Sequence, residues 1–240
     1  MTEQLYQTDG YLKEFDAVVA AVDGQAVALD CTAFYPGGGG QPADVGSLVW
    51  DGGSSQVVKV KRRGPEVWHT LSGEVPPEGA PVYGQLDWQR RYYLMRTHTA
   101  LHVLCGVVWR DYGAAVTGGN MEPLKGRMDF EFETIRKELV AEIEANVNAE
   151  VAKNHQVRVA ILPREEAFEI PDLIRTKINL LPPQIQEVRT VEIVDLDLQA
   201  DGGTHVANTR EVGPVRVVDY KSKGAINKRI YIELDAGENE

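Results

Sequence analysis

The chain has 240 residues, of which 43% are hydrophobic and 25% charged, with a formal net charge of −11. This is the composition of an ordinary globular protein, long enough for one large domain or two modest ones. The acidic total argues against a coat for DNA or long RNA, which needs net basic surface, and leaves open a local contact with one end of an RNA.

The first third reads as β structure. Residues 16–22 and 25–30 flank Asp23-Gly24, a dipeptide suited to a tight hairpin turn. Residues 45–50 and 56–60 flank a Gly/Ser-rich turn at 51–55 and predict a second hairpin. Residues 66–71 and 82–88 are further strands, separated by a loop marked by Pro76, Pro77, Gly79 and Pro81. Many short strands with regular turns predict a small barrel. From about residue 89 to 112 the spacing turns helical, through Tyr93, Leu94, Leu101, Leu104 and Val108. A second helix is predicted from Thr134, a suitable N-cap, to about Asn154, with an apolar stripe at Ile135, Leu139, Ile143, Val147 and Val151. Strands return at 156–162, 188–194, 213–222 and 226–234. The fold class is therefore α+β. A β-barrel module over residues 1–88 precedes an α+β domain over 89–240, with an antiparallel sheet and two main helices.

No apolar run approaches membrane-spanning length, residues 1–10 are polar, and the two cysteines, Cys31 and Cys105, are far apart in sequence and make no disulfide framework. A cytoplasmic protein with no membrane partner is the expectation.

Two short motifs carry the chemistry. His98 and His102 lie four residues apart, so on a helix both imidazoles leave the same face. Asp201 and His205 have the same spacing in Asp201-Gly202-Gly203-Thr204-His205, where the glycines permit a sharp turn. Three imidazoles and one carboxylate could complete a tetrahedral zinc shell. No Glu follows His98, which excludes the His-Glu-x-x-His protease pattern. A carboxylate donor is harder than a thiolate and lets other divalent ions compete, although Asp before Gly-Gly is also a normal turn residue. Cys105 lies seven residues after His98, about 10 Å along a helix, and reads as a small buried apolar residue. His69 and His155 belong to no motif and read as surface or partly buried side chains.

Tyr35-Pro36-Gly37-Gly38-Gly39-Gly40-Gln41-Pro42 is the other unusual segment. Four successive glycines let backbone N–H groups approach a ligand, and the flanking prolines stiffen the loop. Together with residues 86–102 (LDWQRRYYLMRTHTALH), 201–213 (DGGTHVANTREVG), 221–234 (KSKGAINKRIYIEL) and Leu181-Pro182-Pro183, this block resembles the editing region of alanyl-tRNA synthetase and its free-standing AlaX-type relatives. The order and spacing hold over nearly the whole chain.

The resemblance implies a zinc-dependent hydrolase that removes a wrong amino acid, seryl or glycyl, from tRNA(Ala). It also implies a barrel carrying the glycine-rich motif, a zinc-binding editing core, and the medium-length type acting in trans. His98, His102 and His205 match family zinc ligands, and Asp201 stands where many relatives have cysteine. Gly38, Gly39 and Gly40 match the substrate loop and Gln41 its catalytic glutamine. Leu101 stands where the synthetase's editing domain commonly has threonine and is a substrate-pocket position.

Basic residues cluster at Lys59, Lys61, Arg62 and Arg63; at Arg90, Arg91 and Arg96; and at Lys221, Lys223, Lys228 and Arg229. The last cluster lies in a block shared with the family and is the expected tRNA contact. Three alternatives remain: editing of another amino acid in the manner of threonyl-tRNA synthetase, a non-catalytic tRNA-binding or interaction protein with a degraded metal site, and structural zinc.

Overall fold

In the computed structural model, which describes residues 1–174 and 185–237, six strands close into an antiparallel barrel. The chain divides into two units, Met1–Tyr92 and Tyr93–Glu240. In the first unit, β1 (Glu3–Gln4) pairs parallel with β4 (Cys31–Thr32). The barrel takes the order β2 (Glu14–Asp23), β3 (Ala26–Leu29), β7 (Glu66–Leu71), β6 (Gly53–Arg63), β5 (Gly46–Trp50), β8 (Pro81–Leu86), and β8 closes on β2. Alternation sets which face is inside: Phe15, Ala17 and Val19 of β2 point inward and their neighbours outward. Both predicted hairpins are present, and Gly24 and Gly52 supply positive φ at their turns. The two-residue strands β1 and β4 are too short to give a pattern and were not predicted.

His69 corrects one expectation. It is wholly buried in the barrel, its Nε2 2.9 Å from Thr32 Oγ1 and its ring 5.4 Å from that of Phe34. Burial lowers its pKa to about 4, partly opposed by the Val27 carbonyl. The folded state thus holds fewer protons than the unfolded one. The stability this gives is complete above the unfolded value near 6.5 and is lost as pH falls towards 4. A loss of about 3 kcal/mol is expected between about pH 7 and about pH 4. Urea unfolding of wild type and His69→Gln across that range checks it, and equal slopes would contradict it.

In the second unit, α1 (Trp88–Tyr112), which begins just before the division, is buried at every position from Leu94 to Val108. An all-round buried helix is a central element rather than a surface one. One side meets a four-stranded sheet in the order β14 (Val215–Ser222), β15 (Asn227–Leu234), β10 (Lys125–Glu131), β9 (Val116–Glu122), where Leu101 lies over Gly126. α2 (Lys137–Ala152) covers the β14 edge, with the Asn148 amide bonding both the N–H and the carbonyl of Val215. A second sheet is β11 (Val157–Pro163), β12 (Glu187–Ile193), β13 (Asp197–Ala200), with α3 (Arg164–Glu169) after β11. The α+β class and the antiparallel sheets agree with expectation. Thr134 is not the cap: α2 starts after Arg136, and its buried stripe is Val140, Ile143, Val147, Glu150 and Val151. The β9–β10 hairpin, β13 and α3 were not predicted. Leu181-Pro182-Pro183 lies outside the described residues.

Candidate metal centre

Consecutive turns of α1 present His98 and His102, and the loop after β13 returns Asp201 and His205 to the same point. One donor atom from each lies within 4.8 Å of every other. His98 Nε2 is 3.6 Å from Asp201 Oδ1, and His205 Nε2 is 3.1 Å from Asp201 Oδ2. The His98 and His205 rings stack at 4.2 Å, while His102 stands edge-on to both at 5.1 and 4.6 Å. A tetrahedral zinc with its usual bond lengths sets donors about 3.4 Å apart; the 3.1 and 3.6 Å separations lie on either side of that value, and three imidazoles with a carboxylate are a donor set such an ion accepts.

Charge favours the same use. Burial, reinforced by the neighbouring imidazole of His102 and the Arg189 guanidinium, lowers the His98 pKa to about 4. Burial and His98 push His205 well below its ordinary value. Both are therefore neutral near neutral pH, with a lone pair available. Burial alone would raise Asp201, but the surrounding imidazoles hold it well below the usual carboxylate range. For His102, burial is outweighed by the Asp197 and Asp201 carboxylates, and its pKa is raised. Asp201 also serves its turn: Gly203 N–H donates to Oδ2 at 2.7 Å, and Arg189 Nη1 donates to its carbonyl at 2.9 Å.

Sequence reasoning missed the supporting groups. Thr99 Oγ1 is 3.2 Å from His205 Nδ1, Asp197 Oδ2 is 3.3 Å from His102 Nδ1, and Arg189 backs Asp201. Thr99 sits inside the His98–His102 motif and was the one legible signal; Asp197 and Arg189 belong to no motif. Thr99, His205 and Asp201 are connected like a nucleophile triad. Yet Thr99 is fully buried and its oxygen accepts from Val206 N–H at 3.2 Å, so it supports the loop.

The remaining predicted residues are placed as follows. Leu101 is buried against Gly126 of β10. Gly37, Gly38, Gly39 and Gly40 all have positive φ, and the loop is tied rather than slack. Gly38 N–H donates to Gln41 O, Gln41 N–H to Gly38 O, and Tyr35 Oη to Gly38 O at 3.1 Å. The Gly38 and Gln41 amides are thus already used, and Gln41 is buried within the first unit. Arg91 and Arg96 are buried, correcting their reading as a basic surface cluster. Arg91 is paired with Asp44, and Arg96 bonds the carbonyls of Val212, Asp235 and Ala236. At the β14–β15 hairpin, Lys228 donates to Gly224 O and Ala225 O, and Arg229 grips Asp129 with two bonds. Lys221 pairs with Asp219 at 2.9 Å, and both Lys221 and Lys223 are exposed. His155 is half-buried beside Glu150, and Cys105 is buried.

Residues 188–231 match a family described as the threonyl and alanyl tRNA synthetase second additional domain, and residues 6–90 match tRNA synthetases class II (A). The chain is 40% identical over 235 residues to the alanyl-tRNA editing protein AlaX-M of Saccharolobus solfataricus, covering 96% of this chain and 98% of that one. It belongs to the AlaX-M family. The AlaX-M of Methanosarcina mazei is also 40% identical, over 243 residues, covering 98% of this chain and 97% of that one. The alanine–tRNA ligase of Pyrobaculum aerophilum is 42% identical over 224 residues, which are 90% of this chain but 25% of the ligase. The four converging donors therefore lie in an AlaX-M chain, in the unit that carries the synthetase second additional domain.

Proposed function

We propose that this chain hydrolyses the ester joining a wrong amino acid to tRNA(Ala), seryl first and glycyl second, with zinc held by His98, His102, Asp201 and His205. The convergence of those four donors within 4.8 Å carries the reading. The match to nearly the full length of AlaX-M relatives supports action in trans, in the cytoplasm where tRNA is charged. Serine exceeds alanine by one hydroxyl and glycine lacks one methyl; a small pocket discriminates poorly between them, so a second hydrolytic site is the remedy.

When bound, zinc supplies Lewis acidity for the ester or for water. The chain's own residues prepare the site for it. His98 and His205 stay neutral, Asp201 stays ionised and is held by Gly203 N–H, and Thr99 steadies the far nitrogen of His205. Water is the nucleophile in this reading, since the Thr99 hydroxyl, 3.2 Å from His205 Nδ1, is buried and engaged with Val206 N–H. Gln41 and the Gly38–Gly40 backbone enter on the resemblance alone. Gln41→Ala is expected to lower kcat for the seryl ester, and unchanged kinetics would remove Gln41 from the reaction.

For tRNA contact we favour Lys221 and Lys223, because both are exposed, whereas Lys228 is buried against carbonyls of its own hairpin and Arg229 is gripped by Asp129 of β10. Replacing both lysines by alanine is expected to weaken tRNA binding and flatten its salt dependence by about one unit of slope per lost phosphate contact. An unchanged slope would place the contact elsewhere.

The engagement of Asp201 by Gly203 and Arg189 favours a second reading, a tRNA-binding protein whose metal site has decayed into a turn. Hydrolysis of Ser-tRNA(Ala) before and after chelation, with zinc added back, separates the two. Activity lost and restored supports editing; a folded, zinc-treated protein without activity supports binding alone.

A further inference from the structure

We propose that Asp197 is a positioning residue of the metal centre: its carboxylate holds His102 through Nδ1, so that the ring offers Nε2 to the ion. This rests on the zinc reading above. The Asp197 side chain is wholly buried, and its Oδ2 lies 3.3 Å from His102 Nδ1. That nitrogen is itself buried and has no well-formed hydrogen bond among the described residues. A buried imidazole nitrogen without a partner is costly, and the carboxylate beside it is the group that can take its proton contact after a small rotation. Gln199 Nε2 donates to the same Oδ2 and fixes the carboxylate's direction.

The backbone is arranged to bring Asp197 there. The β12–β13 turn is tight: Asp195 has φ +66°, and Leu196 N–H donates to Ile193 O at 2.9 Å. It lies directly on α1 at Gly106, one turn beyond His102. A Cβ at Gly106 would meet Leu196 Cγ at 2.9 Å and Asp197 Cβ at 3.1 Å. Glycine inside a helix is unfavourable relative to alanine, and this close approach is its structural reason. A neutral imidazole carries one proton. A carboxylate at Nδ1 keeps the proton on that side and leaves the Nε2 lone pair for a metal. Asp197 is thus a support for the ligand, distinct from Asp201, which belongs to the donor cluster.

The test uses the intact chain. Zinc affinity is measured for wild type and Asp197→Asn by competition with a chromogenic chelator, alongside the thermal midpoint of each metal-free protein. The variant is expected to bind zinc about 10–100-fold more weakly, with its metal-free midpoint within a few degrees of wild type. Equal zinc affinity would overturn the proposal while leaving the zinc reading intact. Failure of wild type itself to bind zinc would overturn both. If Asp197→Asn does not fold, imidazole nitrogen shifts of zinc-loaded wild type decide. A protonated Nδ1 and metal-bound Nε2 at His102 support the assignment, and the reverse pattern overturns it.

Discussion

Purified His98→Ala should contain no zinc and should hydrolyse Ser-tRNA(Ala) no faster than buffer. His98 Nε2 faces Asp201 Oδ1 at 3.6 Å, and its ring stacks on that of His205. Its loss removes one of four donors and opens a gap between the other three. Removing the donor should not unfold the chain, because α1 is packed on both sides of the site by Leu101 on Gly126 and Leu196 on Gly106. A ligand bound only by the folded state stabilises it by about 4 kcal/mol when present at about 1,000 times its Kd. Wild type should therefore melt higher in excess zinc, and His98→Ala should not respond. Full activity in metal-depleted His98→Ala would remove the metal from the mechanism.

Asp44→Ala should cost about 3–5 kcal/mol of stability, the usual penalty for breaking a buried ion pair by removing one partner. Arg91 is wholly buried; its Nε lies 3.0 Å from both Asp44 oxygens, and its remaining nitrogens reach Gly10 O and Ala33 O. Without Asp44 the guanidinium keeps its charge and loses its counterion. The same carboxylate accepts Tyr35 N–H at 2.6 Å at the base of the glycine loop. Amide exchange at residues 37–41 should therefore speed up with the loss of stability. Urea unfolding and hydrogen exchange measure both effects. A loss below about 1 kcal/mol, the range of an exposed pair, would contradict the burial argument. Replacing both partners by apolar residues of similar size should recover much of the loss.

The barrel strands were legible because one face is buried and the other wet, so alternation survives in β2 and β7. The metal donors were legible because a helix turn imposes a four-residue spacing. Where local pattern carries no information about distant partners, sequence reasoning failed. Arg91 reads as surface charge because Asp44, 47 positions away, is not visible to a local window. Arg96 and Lys228 fail for a related reason: backbone carbonyls that accept from them have no side-chain signature. The β9–β10 hairpin was missed because Gly118, Gly119 and Gly126 interrupt its alternation. On α1 the polar Thr97, His98, Thr99 and His102 sit at buried positions, which blurs the apolar period where the site lies. Asp197 could not be read at all, since its role depends on a turn landing on Gly106.

If this AlaX-M chain edits tRNA(Ala) with a metal held by His98, His102, Asp201 and His205, hydrolysis must both discriminate between esters and depend on that metal. The most direct measurement is hydrolysis of Ser-tRNA(Ala), Gly-tRNA(Ala) and correct Ala-tRNA(Ala) by one purified sample whose zinc content is assayed in parallel. Loss of the seryl ester, alone or with the glycyl ester, and sparing of the alanyl ester are expected, with the loss abolished by chelation and restored by zinc. A folded, zinc-loaded protein that spares all three esters, or cleaves them equally with and without zinc, would contradict metal-dependent editing.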